Sequence, residues 1–340
     1  MINIVLAAND NYAPLLGTCL NSFLINNKKD FKKFNIFILD DKISKSNQNK
    51  INEIAKNYNT NIKFIPTKNL EEIDVEISSM ERNFNLKSYT AYARLFISNL
   101  IPETIDKVLY LDCDSIIVDS FREFWDLNID NYYCAGVLDE TNAAVKKQLK
   151  FKKDENYINT GVLLINLKKW REDNVEEKFI RFMIDNEHRY YQHDQGIINN
   201  VFKGKILIGK PKYNLQVFFQ TLEYDLARKI ICIRGDYYSR EIMEESQKNP
   251  VFLHFCGGEH NRPWFNKNHP YRDLFEKYTT IYHDELINDD VNLSFIGKSY
   301  YTVINNSFFK LILKLIPKKV TCKIINKYGL SNLDKENQKK

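Results

Sequence analysis

Glycine and proline are scarce, 11 and 8 of 340 residues. That excludes a collagen-type repeat or a low-complexity linker and leaves regular elements with few breaks between them. No apolar run approaches the ~18 residues that a membrane-spanning helix requires. The first apolar stretch stops at Asn9 and carries no basic leader, so no cleaved secretory signal is expected. The six cysteines, Cys19, Cys113, Cys134, Cys232, Cys256 and Cys322, include no C-x-x-C pair. A zinc knuckle and a redox motif are thereby excluded, and free thiols in a reducing cytoplasm are expected. Acidic residues are missing from one stretch: between Ser299 and Leu330 stand Lys310, Lys314, Lys318, Lys319, Lys323 and Lys327 with no Asp or Glu, in a chain of formal net charge +5. The basicity is local, and the remainder lacks the basic surface of a nucleic-acid binder.

What is present is 44% hydrophobic and 27% charged residues, enough for one large core or two modest ones. Apolar runs at Ile2–Ala8, Phe34–Leu39 and Asn61–Ile65 read as strands, alternating with helical patterns at Tyr12–Leu24 and Ser46–Tyr58. This rhythm predicts an α/β fold, Rossmann-like, with a mainly parallel central sheet flanked by helices. A helical stretch around Thr90–Leu100 precedes the strand Lys107–Leu111, and Ser115–Val118 follows it. Runs at Tyr133–Leu138, Gly161–Asn166 and Val251–Phe255 read as further strands of the same sheet, and Asn174–Asn186 and Gln195–Phe202 as helices. The simplest division is a catalytic domain over 1–268 and a basic helical extension over 269–340.

Directly after the strand Lys107–Leu111 comes Asp112-Cys113-Asp114. On extended backbone the two acids face the same way, and strand carboxyl ends are where open α/β sheets gather ligands. Two such carboxylates can hold a hard divalent cation that clamps phosphate oxygens; alone, they read better as solvated acids capping a turn.

Context gives the pair more weight. The segments AANDNYA (7–13), TAYARLFISNLIP (90–102), YLDCDSIIV (110–118), YINTGVLLINLKKWR (157–171), HDQGIINN (193–200), PKYNLQ (211–216) and HFCGGEHNRPW (254–264) occur in this order. In them the chain resembles glycosyltransferase family 8, which includes bacterial lipooligosaccharide galactosyltransferases and glycogenin. The resemblance implies a GT-A fold and a retaining, metal-dependent transfer of glucose or galactose from a UDP-sugar to a glycan or lipid-linked acceptor, in bacterial surface polysaccharide or lipopolysaccharide biosynthesis.

The same resemblance implies roles. Asp112, Asp114 and His254 would bind Mn2+, with Mg2+ as the alternative; a mixed oxygen and imidazole set suits manganese. Ala8, Asp10, Tyr12 and Cys113 would lie beside the nucleotide, although Asp10 reads equally as a helix N-cap. Arg94 would bind the donor sugar or diphosphate, and Gly257 would let backbone approach phosphate. Asn159, Asp194 and Asp139 would meet sugar hydroxyls, with Gln195 beneath the anomeric carbon; Asn159 and Asp139 read also as turn organisers and Gln195 as a residue of a helix N-terminus. The family reads His-x-x-Gly-x-x-Lys-Pro-Trp, whereas this chain inserts two residues and carries Arg262 in place of lysine, so that either Arg262 or His260 closes over the donor.

Gln195 is a poor nucleophile, so a same-face internal return is expected in place of a covalent intermediate. The basic stretch interleaves its lysines with Tyr300, Tyr301, Phe308, Phe309, Leu311, Ile312, Leu315, Ile316, Ile324, Ile325 and Tyr328. It is expected to attach the protein peripherally to an anionic membrane surface on the cytoplasmic side; the alternative is a packed helix pair. Two rival functions are a haloacid-dehalogenase-type phosphohydrolase with Asp112 as nucleophile and a non-catalytic membrane-bound scaffold. The first lacks its Gly-Asp-x-x-x-Asp, since no second acid follows Gly235-Asp236 at that spacing.

Overall fold

The computed structural model of the chain describes residues 1–58, 60, 62–67, 89–141, 143–152, 154–186, 192–233, 237–287 and 306–323. Nine strands are described: β1 (Ile2–Asn9), β2 (Phe34–Asp41), β3 (Ile62–Pro66), β4 (Lys107–Leu111), β5 (Ser115–Ile117), β6 (Cys134–Leu138), β7 (Ile158–Asn166), β8 (Ile206–Ile208) and β9 (Phe252–His254). Seven of them form one sheet in the order β3-β2-β1-β4-β7-β6-β8. β3, β2, β1 and β4 are mutually parallel, β7 runs antiparallel to both β4 and β6, and β8 is parallel to β6. The sheet is thus mainly parallel.

Successive residues of β1 point to opposite faces. Ile4, Leu6 and Ala8 enter a core shared with helix α1 (Ala13–Asn27), and Val5 and Ala7 enter a second core with Tyr92, Phe96, Trp170, Phe179 and Phe202. The sheet is therefore covered on both sides, which is why its strands read as nearly continuous apolar runs. Helix α2 (Lys45–Lys56) has an amphipathic pattern and buries Ile51, Ile54 and Ala55. Its N-cap is Ser44, whose Oγ accepts from Asn47 N at 3.3 Å.

Two expectations change. The Thr90–Leu100 helix is two short 3-10 turns, Tyr89–Ala91 and Ala93–Phe96, followed by one helical turn, Ile97–Leu100. The run Val251–Phe255 does not join the main sheet. β9 pairs antiparallel with β5 as a separate ribbon in the register Ser115↔His254, Ile116↔Leu253, Ile117↔Phe252. Three-residue strands carry too little pattern to announce a partner, and this pairing is what sets His254 beside the acidic turn.

Beyond residue 268, helix α3 (Arg272–Thr279) and Tyr282 pack on α1: Asn21 Nδ2 donates to Tyr278 O at 3.0 Å, and Phe275 and Tyr282 belong to the α1-side core. A later helix, α4 (Ser307–Leu315), rests on the domain through Leu313 and through Lys229, whose Nζ donates to Lys314 O at 2.9 Å. Tyr300, Tyr301, Ile324, Ile325, Lys327 and Tyr328 of the basic stretch lie outside the described residues, as do Gly235 and Asp236. Among the described residues no helix is long and apolar enough to cross a membrane, and all six cysteines are free.

Candidate active site

β4 delivers the acidic turn at the carboxyl edge of the sheet. Asp112 N donates to Gly161 O at 2.8 Å, continuing the β4–β7 ladder by one residue, and Ser115 Oγ closes the turn on Asp112 O at 2.7 Å. The Cys113 side chain points inward, its Sγ donating to Ala7 O at 3.3 Å, so only its backbone is left for a ligand. From the other side Phe255 N donates to Asp114 O at 2.9 Å, fixing the β9 end against the turn. As a result His254 Nε2 lies 3.1 Å from Asp114 Oδ1 and 4.0 Å from Asp112 Oδ2. One ligand atom from each of the three residues falls within 4.8 Å of the others.

The electrostatics match this convergence. Burial raises the Asp114 carboxyl, but His254 and then Arg262 outweigh it and hold it below the ordinary value. Burial lowers the His254 imidazole, and the two acids outweigh that and raise it. Two carboxylates and one imidazole nitrogen facing a common point are a donor set that fits a divalent cation of the manganese type.

Arg94 was expected at the donor. It is buried behind the acids, with Nη2 2.7 Å from Asp112 Oδ1, Nη1 donating to Thr160 O at 2.8 Å, and its guanidinium 4.5 Å from the Tyr110 ring centre. Nε lies 3.0 Å from Asp194 Oδ2, at ion-pair distance but out of line for a hydrogen bond. Burial disfavours its charge, and Asp112 and Asp194 more than restore it. Burial also raises the Asp194 carboxyl, with Arg94 opposing. One guanidinium thus ties Asp112 of the acidic turn to Asp194.

Asn159, Asp139 and Gln195 come together beside this pair. Asp139 Oδ2 accepts from Asn159 Nδ2 at 2.9 Å and from Gln195 Nε2 at 3.3 Å, while Gln195 Oε1 accepts from Thr160 N at 3.2 Å. Burial raises the Asp139 carboxyl. Ala8 is buried at the end of β1. Asp10 is not the N-cap of the turn that follows; Asn9 is, its Oδ1 accepting from Tyr12 N at 3.1 Å. Asp10 Oδ1 instead accepts from Asn47 Nδ2 and Ser44 N, each at 2.8 Å, which lowers its carboxyl and ties β1 to the start of α2. Tyr12 is exposed beside it. Gly257 has φ +92, a conformation side chains rarely adopt. Arg262 stacks 5.6 Å from the Trp264 ring and its charge reaches Asp114, whereas burial lowers the His260 imidazole.

Three further residues had no role in the sequence reading. Asn214 Oδ1 lies 3.0 Å from His254 Nδ1. Gly161 leaves room for the His254 ring, since a Cβ there would sit 2.3 Å from Cε1. Glu140 accepts from Phe218 N and Phe219 N, both at 3.1 Å, and burial pushes its carboxyl up to about 8. The first two stand inside the segments PKYNLQ and YINTGVLLINLKKWR, so their signal was membership of an ordered motif; nothing in the sequence marks Glu140.

A mainly parallel sheet carrying an Asp-x-Asp turn at its carboxyl edge, met there by a histidine from the β5–β9 ribbon, fits the class that the resemblance implies, a glycosyltransferase of the GT-A type. The chain belongs to glycosyl transferase family 8, whose profile matches residues 3–268. General stress protein A of Bacillus subtilis (strain 168) is 30% identical over 82% of this chain and 93% of its own. A lipopolysaccharide 1,2-glucosyltransferase of Escherichia coli is 27% identical over 82% of this chain and 78% of its own. The crystal structure of an active-site mutant of LgtC superposes with a TM-score of 0.64 at 25% identity, covering 82% of this chain and 96% of that one. Family membership removes the phosphohydrolase reading.

Proposed function

We propose that this glycosyltransferase moves a hexose, glucose or galactose, from a UDP-sugar to a glycan or lipid-linked acceptor with retention, using Mn2+ held by Asp112, Asp114 and His254. The observation that carries the reading is the meeting of these three side chains, drawn from sequence positions 140 residues apart, at one point on the sheet edge. When bound, the cation neutralises charge gathering on the departing diphosphate. Arg262, whose charge already reaches Asp114, is assigned to the diphosphate as well, where a guanidinium pairs bidentately. The division into a catalytic domain over 1–268 and an extension over 269–340 belongs to the same proposal and is supported by the end of the family match at 268.

The sugar-side residues support a same-face return. Gln195 is an amide tethered by Thr160 N and Asp139, and Asp194 is buried against Arg94; neither is a free carboxylate able to form a glycosyl-enzyme. The bond from C1 to the diphosphate breaks, the acceptor oxygen bonds to C1 on the same face, and the acceptor's proton passes to the leaving diphosphate. Asp139, Asn159, Gln195 and Asp194 orient the hexose hydroxyls. The test is transfer from UDP-glucose and UDP-galactose with Mn2+: Asp112→Ala or Asp114→Ala, still folded, should lose essentially all turnover, and near-normal turnover in either refutes the reading.

The acceptor side is proposed to lie at an anionic membrane surface. Helix α4 turns Phe308, Leu311 and Leu315 outward, 65%, 55% and 75% exposed, among Lys310, Lys314, Lys318 and Lys319. Each such lysine is worth about 1 kcal/mol near an anionic bilayer. Phosphatidylglycerol vesicles should retain the chain, and Leu311→Glu with Leu315→Glu should release it without loss of UDP binding; undiminished retention contradicts this part.

A further inference from the structure

The side chains between the two halves of the site form a chain of hydrogen bonds whose direction is fixed by one backbone group. Gly161 N, which can only donate, lies 2.9 Å from Asn159 Oδ1. The oxygen end of Asn159 is therefore settled, and its amide nitrogen faces Asp139 Oδ2 at 2.9 Å. Asn214 meets the same Asn159 oxygen at 2.8 Å and must present its NH2 there. Its own oxygen is then turned to His254 Nδ1 at 3.0 Å, so that nitrogen carries the hydrogen. The remaining ring nitrogen, Nε2, faces Asp112 and Asp114. Asn214, Asn159 and His254 are all buried, so water has little access to replace a lost link.

We propose that Asn214 and Asn159 are positioning residues forming a one-way relay from the cation-binding imidazole to Asp139, so that filling the cation site and gripping the donor hexose reinforce each other. The inference rests on the function proposed above and adds a coupling to it. Hydrogen-bonded chains in a low-dielectric interior polarise one another. A ligand on Nε2 makes Nδ1–H a stronger donor, which strengthens each following link and steadies the Asp139 carboxylate that orients the sugar. Linkage makes the effect reciprocal: the hexose tightens the cation by the same factor as the cation tightens the hexose.

The experiment titrates Mn2+ into the full chain by calorimetry with UDP, UDP-glucose or UDP-galactose present. Wild type should bind Mn2+ several-fold tighter with one of the UDP-hexoses than with UDP. Asn214→Leu removes both links and should weaken Mn2+ by 10- to 100-fold, the usual effect of losing a partner of a ligating histidine. Asn214→Asp keeps an acceptor for Nδ1–H but sets an oxygen against Asn159. It should keep Mn2+ affinity with UDP near wild type and lose the hexose increment, with a thermal melt confirming the fold of each variant. An Asn214→Asp chain with the full increment, or an Asn214→Leu chain with unchanged Mn2+ affinity, overturns the relay and leaves the cation assignment standing. A wild-type chain that binds no Mn2+ under any of the three nucleotides overturns the proposed function and the relay with it.

Discussion

Gly161 lies directly against the ring of His254: a Cβ built on the glycine would stand 2.3 Å from Cε1 and 2.8 Å from Nδ1. The imidazole reaches the acids only because β7 has no side chain at that point. Gly161→Ala should therefore displace the ring and weaken Mn2+ binding by at least 10-fold, with Gly161's main-chain bonds to Asp112 and Asn159 strained. Manganese electron paramagnetic resonance reads the free ion directly, and an unchanged Mn2+ affinity in a folded Gly161→Ala chain contradicts the assignment of His254.

Arg94 holds two acids, the half-buried Asp112 and the buried Asp194, with one guanidinium. Removing it leaves two carboxylates without their counter-charge, a loss of about 3–5 kcal/mol for a buried pair. Arg94→Met should lower the urea midpoint accordingly, and Arg94→Lys should recover part of the stability but not the fork geometry, leaving transfer impaired. A midpoint within experimental error of wild type for Arg94→Met would show that the acids find other partners.

His269 supplies one part of the pH dependence. It is buried against Phe255, its Nδ1 accepts from Tyr271 N at 3.2 Å, and burial pushes its imidazole down to about 3. Between pH 6.5 and 3 the unfolded chain binds a proton there that the folded chain does not, so this contribution is complete above pH 6.5 and is lost as pH falls. From pH 7 to pH 5 the loss is about 2 kcal/mol at 1.36 kcal/mol per unit. The change in urea stability from pH 7 to pH 5 should be less favourable in wild type than in His269→Gln by about that amount, the opposing gain from buried Glu140 being common to both chains; equal changes contradict it.

Much of the fold was legible because both faces of the sheet are buried, which gives β1, β2 and β4 long apolar runs that alternate with helical patterns. The order of β7 was not, because an antiparallel strand between parallel neighbours has the same composition as a parallel one. The pairing of β5 with β9 was also hidden, since it spans two three-residue strands 135 residues apart. In the site, the two acids announced themselves by spacing, while His254, Asn159 and Gln195 were named through an ordered set of motifs and Asp139 as an acid directly after an apolar strand. Asn214 and Gly161 escaped because their work is done on another side chain: an amide that orients an imidazole and a missing Cβ leave no mark of their own. The ties of Arg94 to Asp112 and Asp194 were not legible, since a guanidinium that serves a phosphate and one that serves two acids look alike in sequence.

The most direct measurement is Mn2+ binding in the presence of UDP, by electron paramagnetic resonance, for wild type, Asp114→Ala and His254→Ala. Three side chains converging on one cation predict a single UDP-dependent Mn2+ site per chain in wild type, weakened by more than 100-fold in either variant while the thermal melt stays cooperative. A His254→Ala chain that binds Mn2+ as tightly as wild type, or a wild type that binds none with UDP present, contradicts the account.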